Sequence, residues 1–177
     1  MICLDAYSIF ENKSTLRETS KDDSQPGVVQ FMTSSNLEVI NFDEVKRKYA
    51  NSLGLPENCA ASVDAVIPYG GGVLFVEFKN GRVDNRNIKD KIRDSLLIFL
   101  GIIQKDIEYS REKIDFILVY NQEKNPSRID IGNYVMHKAN DELVLFDLKR
   151  YKKLYFRNVH TYSQKTFEAY LLSKGLV

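Results

Sequence analysis

The chain has 177 residues, 44% apolar and 28% charged, which is enough for one buried core and too apolar for wholesale disorder. With 25 basic and 24 acidic side chains the formal net charge is +1, which excludes a histone-like polyanion binder and an acidic solvating tail. Two cysteines, Cys3 and Cys59, make neither a disulfide framework nor a metal cluster. There is no basic leader, and the longest apolar run is the eight residues 96–103, so the expectation is a cytoplasmic protein that does not enter the membrane.

Residues 1–10 read as a short strand or amphipathic lead-in, and the polar stretch 11–27, closed by Pro26-Gly27, as a flexible loop. Val28 to Met32 suits a brief strand. Asn41-Phe-Asp-Glu44 has the spacing of a capping box, and Phe42, Val45, Tyr49 and Leu53 then share one face of a helix that Gly54 and Pro56 stop. Ser62 to Pro68 alternates like a strand, Tyr69-Gly-Gly-Gly72 is a hairpin turn by composition, and Val73 to Lys79 is the strongest strand signal in the chain.

A long helix is predicted from Asn87 to Glu108, because Ile88, Ile92, Leu96, Phe99, Ile103 and Ile107 recur at helical spacing. Lys113 to Tyr120 reads as a buried strand and 121–128 as a loop. Leu143–Phe146 and Leu154–Phe156 are short strand candidates, and Gln164–Lys174 is a terminal helix. The alternation of helices and strands specifies a single α/β domain with a small mixed central sheet flanked by helices.

The constellation that can carry chemistry is Asp64 followed by Glu77-Phe-Lys79. Glu77 and Lys79 share a face of one strand, and the glycine turn brings the Asp64 strand alongside, so two carboxylates and an ammonium converge at one edge of the sheet. Glu-x-Lys alone carries little information: 11 glutamates and 16 lysines give three copies, at Glu11, Glu44 and Glu77. Only the third ends an apolar strand, has an acid one hairpin upstream and feeds a long amphipathic helix. The plain alternative is a surface ion pair between Asp64 and Lys79, worth roughly 0.2–1 kcal/mol.

Ser62-Val-Asp64, Gly72-Val-Leu-Phe-Val-Glu77-Phe-Lys79 and the helix after them resemble the PD-(D/E)XK nuclease superfamily, which includes restriction endonucleases and Holliday junction resolvases. The likeness covers roughly residues 40–121, with Val63 where the name-giving proline would stand. It implies a restriction endonuclease-like core, helix–strand–strand–strand–helix–strand, within 28–121, followed by an extension over 122–177. It also implies hydrolysis of DNA, or secondarily RNA, with Mg²⁺ or Mn²⁺ held by Asp64, Glu77 and the carbonyl of Phe78. Lys79 would orient or help to deprotonate the attacking water, and a homodimer is plausible by the same resemblance. An acid on the first helix often assists in such folds, and Glu44 and Glu38 are the candidates.

The remaining candidates come from the residues themselves. Lys89 and Arg93, one helical turn apart, and Arg82 and Arg86 in the approach to that helix are placed to meet a phosphate. Lys149, Arg150, Lys152, Lys153 and Arg157 interleave with Tyr151, Tyr155 and Phe156 in a region where 149–177 carries seven basic residues and one acidic, which suits nucleic-acid contact or a lysine-guarded strand edge. His137 and His160 have no neighbouring ligands, so zinc is not expected. The competing reading is an interaction protein on a nuclease-like fold, such as an immunity protein, antitoxin or assembly subunit, supported by the near-neutral charge and by ten Tyr and ten Phe that can feed a protein interface.

Overall fold

The computed structural model describes residues 3–126 and 143–176. Its centre is a six-stranded mixed sheet in the order β1-β4-β5-β6-β7-β8, with a separate two-stranded ribbon, β2-β3. The strands are β1 (Lys13–Thr15), β2 (Lys21–Gln25), β3 (Val28–Phe31), β4 (Glu38–Asn41), β5 (Ala65–Tyr69), β6 (Gly72–Lys79), β7 (Ile114–Tyr120) and β8 (Asn158–Ser163). The helices are α1 (Leu16–Thr19), α2 (Phe42–Ser52), α3 (Asn85–Ile103), α4 (Ile107–Lys113) and α5 (Gln164–Ser173). Strands β1, β4, β5 and β6 run antiparallel in turn, whereas β6, β7 and β8 are parallel. No helix among the described residues is long and apolar enough to cross a membrane.

Local chemistry accounts for the central hairpin. Gly70 and Gly71 both have positive φ, +56° and +75°, the conformation a two-residue turn requires to match the twist of β5 and β6. Gly72 is constrained by space instead, because a Cβ there would lie 2.0 Å from the Lys113 carbonyl oxygen.

Period-2 alternation along β6 then splits the core. Val73 and Phe75 face α2 and α3, where Phe42, Phe75 and Phe99 meet at ring-centroid distances of 5.2–6.4 Å. Leu74, Val76 and Phe78 face the other way, toward Leu16, Met32 and, on α5, Phe167 and Leu171. The result is three layers, with the sheet buried on both faces and all seven residues of β7 buried.

Several expectations need correction. Residues 4–6 and 8–11 are 3-10 turns that bury Leu4 and Phe10, and no strand forms there. The segment 11–27 is no flexible loop. It supplies β1, α1 and β2, because Thr15 caps α1, Leu16 is fully buried, and β1 adds to the sheet edge through β4.

The long helix is two helices. Gln104 adopts the left-handed conformation at φ 52°, and the side chain of Asp106 caps a new start at the Tyr109 N–H, 3.2 Å away. The buried stripe from Ile88 to Ile103 is as predicted; Ile107 belongs to α4 and is partly buried.

Neither 143–146 nor 154–156 is a strand. Phe146 and Asp147 turn the chain at φ +59° and +55°, and the Leu145 N–H is taken by the Thr161 hydroxyl at 2.9 Å. The last strand is 158–163, and with α5 it makes the supposed extension part of the sheet and of its second face. The order around the hairpin is strand–helix–strand–strand–helix–helix–strand, since β4 precedes α2, 53–64 forms no strand and α3 is followed by α4.

Leu16→Ala distinguishes a built N-terminal segment from a loop. Burial of Leu16 predicts a loss of about 2–5 kcal/mol in urea denaturation, against nearly none for a residue in a solvated loop.

Candidate active site

Asp64 lies one residue before β5, in an extended stretch fastened to its neighbours by hydrogen bonds. The Ala61 N–H donates to Asp94 and the Val63 N–H to the Ser95 hydroxyl, both at 2.8 Å. The Asp64 N–H donates to the Val76 carbonyl at 3.1 Å, and the Asp64 carbonyl accepts from the Phe42 N–H, at the start of α2, at 3.2 Å. Position and side-chain direction are thereby fixed from three elements.

The Asp64 carboxylate turns toward the end of β6, where its Oδ2 accepts the Phe78 N–H at 2.6 Å. Alternation along β6 sends Glu77 to the same side of the sheet, beneath α3. The two carboxylates share one cation, and it is not Lys79. Lys91, on the inner side of α3, has Nζ 2.7 Å from Glu77 Oε1 and 3.3 Å from Asp64 Oδ1.

Glu77 is 1% exposed, and its Oε2 is buried without a hydrogen-bond partner among the described residues. Asp64 keeps 15% of its side-chain surface open. Asp43, in the first turn of α2, accepts a short hydrogen bond from the Ser62 hydroxyl and adds negative charge at the rim.

This arrangement shifts Asp64, Glu77 and Lys91. Burial pushes Asp64 up to about 6, against the pull of Lys91 and the Phe78 N–H. Burial and then the Asp64 charge hold Glu77 well above the ordinary carboxylate range. Lys91 is raised because the attraction of Asp64 and Glu77 outweighs its own desolvation. One ammonium between two buried carboxylates leaves a surplus negative charge that a proton or another cation must balance.

Asp64 also forms part of the wall of a cleft of about 280 Å³ between the β2-β3 ribbon and the end of β6, lined among others by Lys21, Asp22, Lys79, Asn80 and Lys124. Asn80 joins ribbon to sheet: its amide nitrogen donates to Asp22 and Gln30 at 2.7 and 2.6 Å, and its oxygen accepts from Asn121 at 2.8 Å. Lys79, half-buried in this cleft, has no ion pair among the described residues, so the alternative of a surface ion pair between Asp64 and Lys79 is not what forms. Phe78 supplies its N–H to Asp64, while its ring packs edge-on against Phe167 at 5.7 Å on the opposite face.

The auxiliary candidates divide. Glu44 is committed to Arg47 at 2.5 Å, and only half of the capping box forms, since the Asn41 N–H goes to the Asn12 carbonyl. Glu38 is exposed at the far end of β4, two residues beyond the last β4–β5 pair, and Asp43 is the acid that α2 brings to the site. Lys89 pairs with Asp147 at 3.4 Å, and Arg93 pairs with Asp90. The interleaved residue Lys91 was legible: 88, 91, 95 and 99 form one helical row, which sets Lys91 and Ser95 on the buried stripe.

Arg82 and Arg86 are exposed just beyond β6. Arg157 does not face solvent for a ligand. It grips the buried Asp115 with two hydrogen bonds of 2.9 and 2.8 Å at the start of β7, the end of the parallel strands away from Lys79. Arg150 pairs with Asp147 at 3.3 Å and lies over Tyr151, and Lys149 is engaged in a 3-10 turn, while Lys152 and Lys153 are exposed. Tyr151 and Phe156, cast as stacking residues, are buried in the core. His160 stacks on Tyr162 at 5.4 Å, and His137 lies outside the described residues. Comparison of the chain with protein-family models, curated proteins and solved structures finds no match.

Two outcomes follow from this geometry. A carboxylate whose pKa is raised by folding stabilises the protein while protonated, and that contribution is lost as pH rises through the folded value. Wild type should therefore lose stability relative to Glu77→Gln as pH rises above about 4.5, the ordinary glutamate value, in urea titrations; parallel curves would mean that Glu77 is an ordinary carboxylate. Arg157→Ala should cost about 1–3 kcal/mol by stranding Asp115, and leave nucleic-acid retention on gels unchanged.

Proposed function

We propose that the chain is a metal-dependent phosphodiesterase hydrolysing nucleic acid, DNA ahead of RNA, on a restriction endonuclease-like fold. The observation that carries this reading is the pair Asp64 and Glu77, two carboxylates converging at the end of a central strand with one buried oxygen lacking a partner. A purely structural ion pair needs one carboxylate for its ammonium, so the second is surplus charge of the kind that a divalent cation balances.

The donor set fits Mg²⁺ or Mn²⁺. Magnesium is commonly held by one or two carboxylates, with waters and substrate phosphates completing its shell. Zinc is held chiefly by Cys and His, and the donors at this pair are carboxylate oxygens alone. When bound, such an ion neutralises charge developing on the scissile phosphate and acidifies a water.

The chain's own residues do the rest. Asp64 and Glu77 would hold the ion, Asp64 being the one open to the cleft. Lys79, which shares the cleft wall with Asp64 and has no ion pair among the described residues, would donate to the attacked phosphate or the water. Lys21 and Lys124 on the cleft wall, with Arg82 and Arg86 beyond β6, would draw the phosphate backbone in. The antiparallel β4-β5-β6 followed by parallel β7 is compatible with a nuclease-like sheet, although α2 intervenes between β4 and β5.

A second reading is a non-catalytic interaction protein on this fold. It is favoured by Lys91, which already neutralises much of the acidic pair, and by the exposed Leu53, Leu55 and Leu97 on or next to α2 and α3. Cleavage assays on single-stranded, duplex and branched DNA separate the two. The nuclease reading expects Mg²⁺-dependent cutting that falls at least about a hundredfold in Glu77→Gln and in Lys79→Ala, with circular dichroism unchanged. Absence of cutting by wild type, together with a stoichiometric protein partner insensitive to Lys79→Ala, would establish the second.

A further inference from the structure

Lys91 occupies the position between the two carboxylates, and its surroundings resemble a seat it can leave. Its Nζ contacts one oxygen of each carboxylate, at 2.7 and 3.3 Å, and both are oxygens that a metal held by this pair would use. The remaining oxygens are unequal: Asp64 Oδ2 is engaged by the Phe78 N–H, whereas Glu77 Oε2, fully buried, has no hydrogen-bond partner among the described residues. A single ammonium thus leaves one acceptor of the pocket unserved, where a divalent ion with several coordination positions need not.

The side chain also has somewhere to go. The Lys91 side chain retains 23% exposure, and the exposed Asp43 at the start of α2 already attracts it. Four methylenes give the ammonium the reach to exchange one acid for another without moving the helix.

We propose that Lys91 is a resident counter-ion that competes with the divalent cation for Asp64 and Glu77, moving toward Asp43 when the metal enters. This inference rests on the metal-dependent reading above and adds a regulatory property to it. The empty protein is held together by its own ammonium, and metal occupancy is set by a competition built into α3. Lys91 acts here as a positioning residue, through the carboxylates and not on the substrate.

Isothermal titration of Mg²⁺ into wild type, Lys91→Met, Lys91→Gln and Glu77→Gln tests the competition without reference to activity. Removing the competing charge should tighten Mg²⁺ binding by about tenfold, or about 1.4 kcal/mol, in both Lys91 variants. Glu77→Gln should abolish it. Thermal unfolding should show a larger Mg²⁺-dependent rise in Tm for the Lys91 variants than for wild type, because their empty pockets hold uncompensated acids. Lys91→Gln retains a hydrogen-bond donor for Glu77 and guards against a failure of Lys91→Met to fold.

Equal or weaker binding in both Lys91 variants, with wild type still binding through Glu77, would overturn the exchange and leave the metal site standing. Binding in the Lys91 variants but not in wild type would support the exchange and overturn the enzymatic reading. No binding by any of the four would overturn both.

Discussion

Two buried carboxylates sharing one ammonium is the interaction around which the rest of the molecule is arranged. An unpaired charge inside a protein costs several kcal/mol, and Lys91, reaching between Asp64 and Glu77 beneath α3, offsets part of that cost. Their position requires the tight β5-β6 hairpin, the extended segment 61–64 held by Asp94 and Ser95, and the start of α2 against the Asp64 carbonyl. The aromatic cluster of Phe42, Phe75 and Phe99 keeps α2 and α3 on that face of the sheet, so the apolar core sets the distance across which the charges meet.

The two faces of the sheet divide the work. The side under α2 and α3 holds Asp64, Glu77 and Lys91, while the other side, which carries the Asp115–Arg157 pair, packs mainly apolar residues against α1 and α5 and anchors the N-terminal segment and its ribbon. Asn80 joins these regions at the strand end, since it lies on the apolar side of β6 yet bonds to Asp22, Gln30 and Asn121. The cleft between ribbon and sheet therefore has polar walls, with Asp64 reaching it from behind. On the proposed function, a phosphate entering the cleft would meet Lys21, Lys79 and Lys124 together with Asp64 on its walls.

Some residues carried their structural meaning in the sequence and others did not. Glu77 was recoverable because it interrupts an apolar strand at a position whose alternation faces the core, and an acid there demands a partner. Lys91 was legible in principle from its row with Ile88, Ser95 and Phe99. Its neighbours in the helix, the half-buried Lys89 and the exposed Arg93, are drawn elsewhere, Lys89 to Asp147, 58 residues away, and Arg93 to Asp90. Arg157 belonged by composition to a basic run, but Asp115, 42 residues away in sequence, claims it. A charge run gives no warning of a distant acid, because pairing is decided in space.

The sequence by itself determined the α/β class, the β5-β6 hairpin, the capped start of α2, the buried stripe of α3, and the presence of two acids at the hairpin's open end. Each depends on periodicity or turn chemistry that acts within a few residues. Tertiary structure alone decided which cation joins those acids, that 11–27 is built into the sheet edge, that β8 lies beside β7, and that Asp43 approaches the site in place of Glu44. These depend on contacts between residues far apart in the chain. Polar strands such as β1 and β8 gain their stability from the neighbour they pair with, not from any pattern of their own.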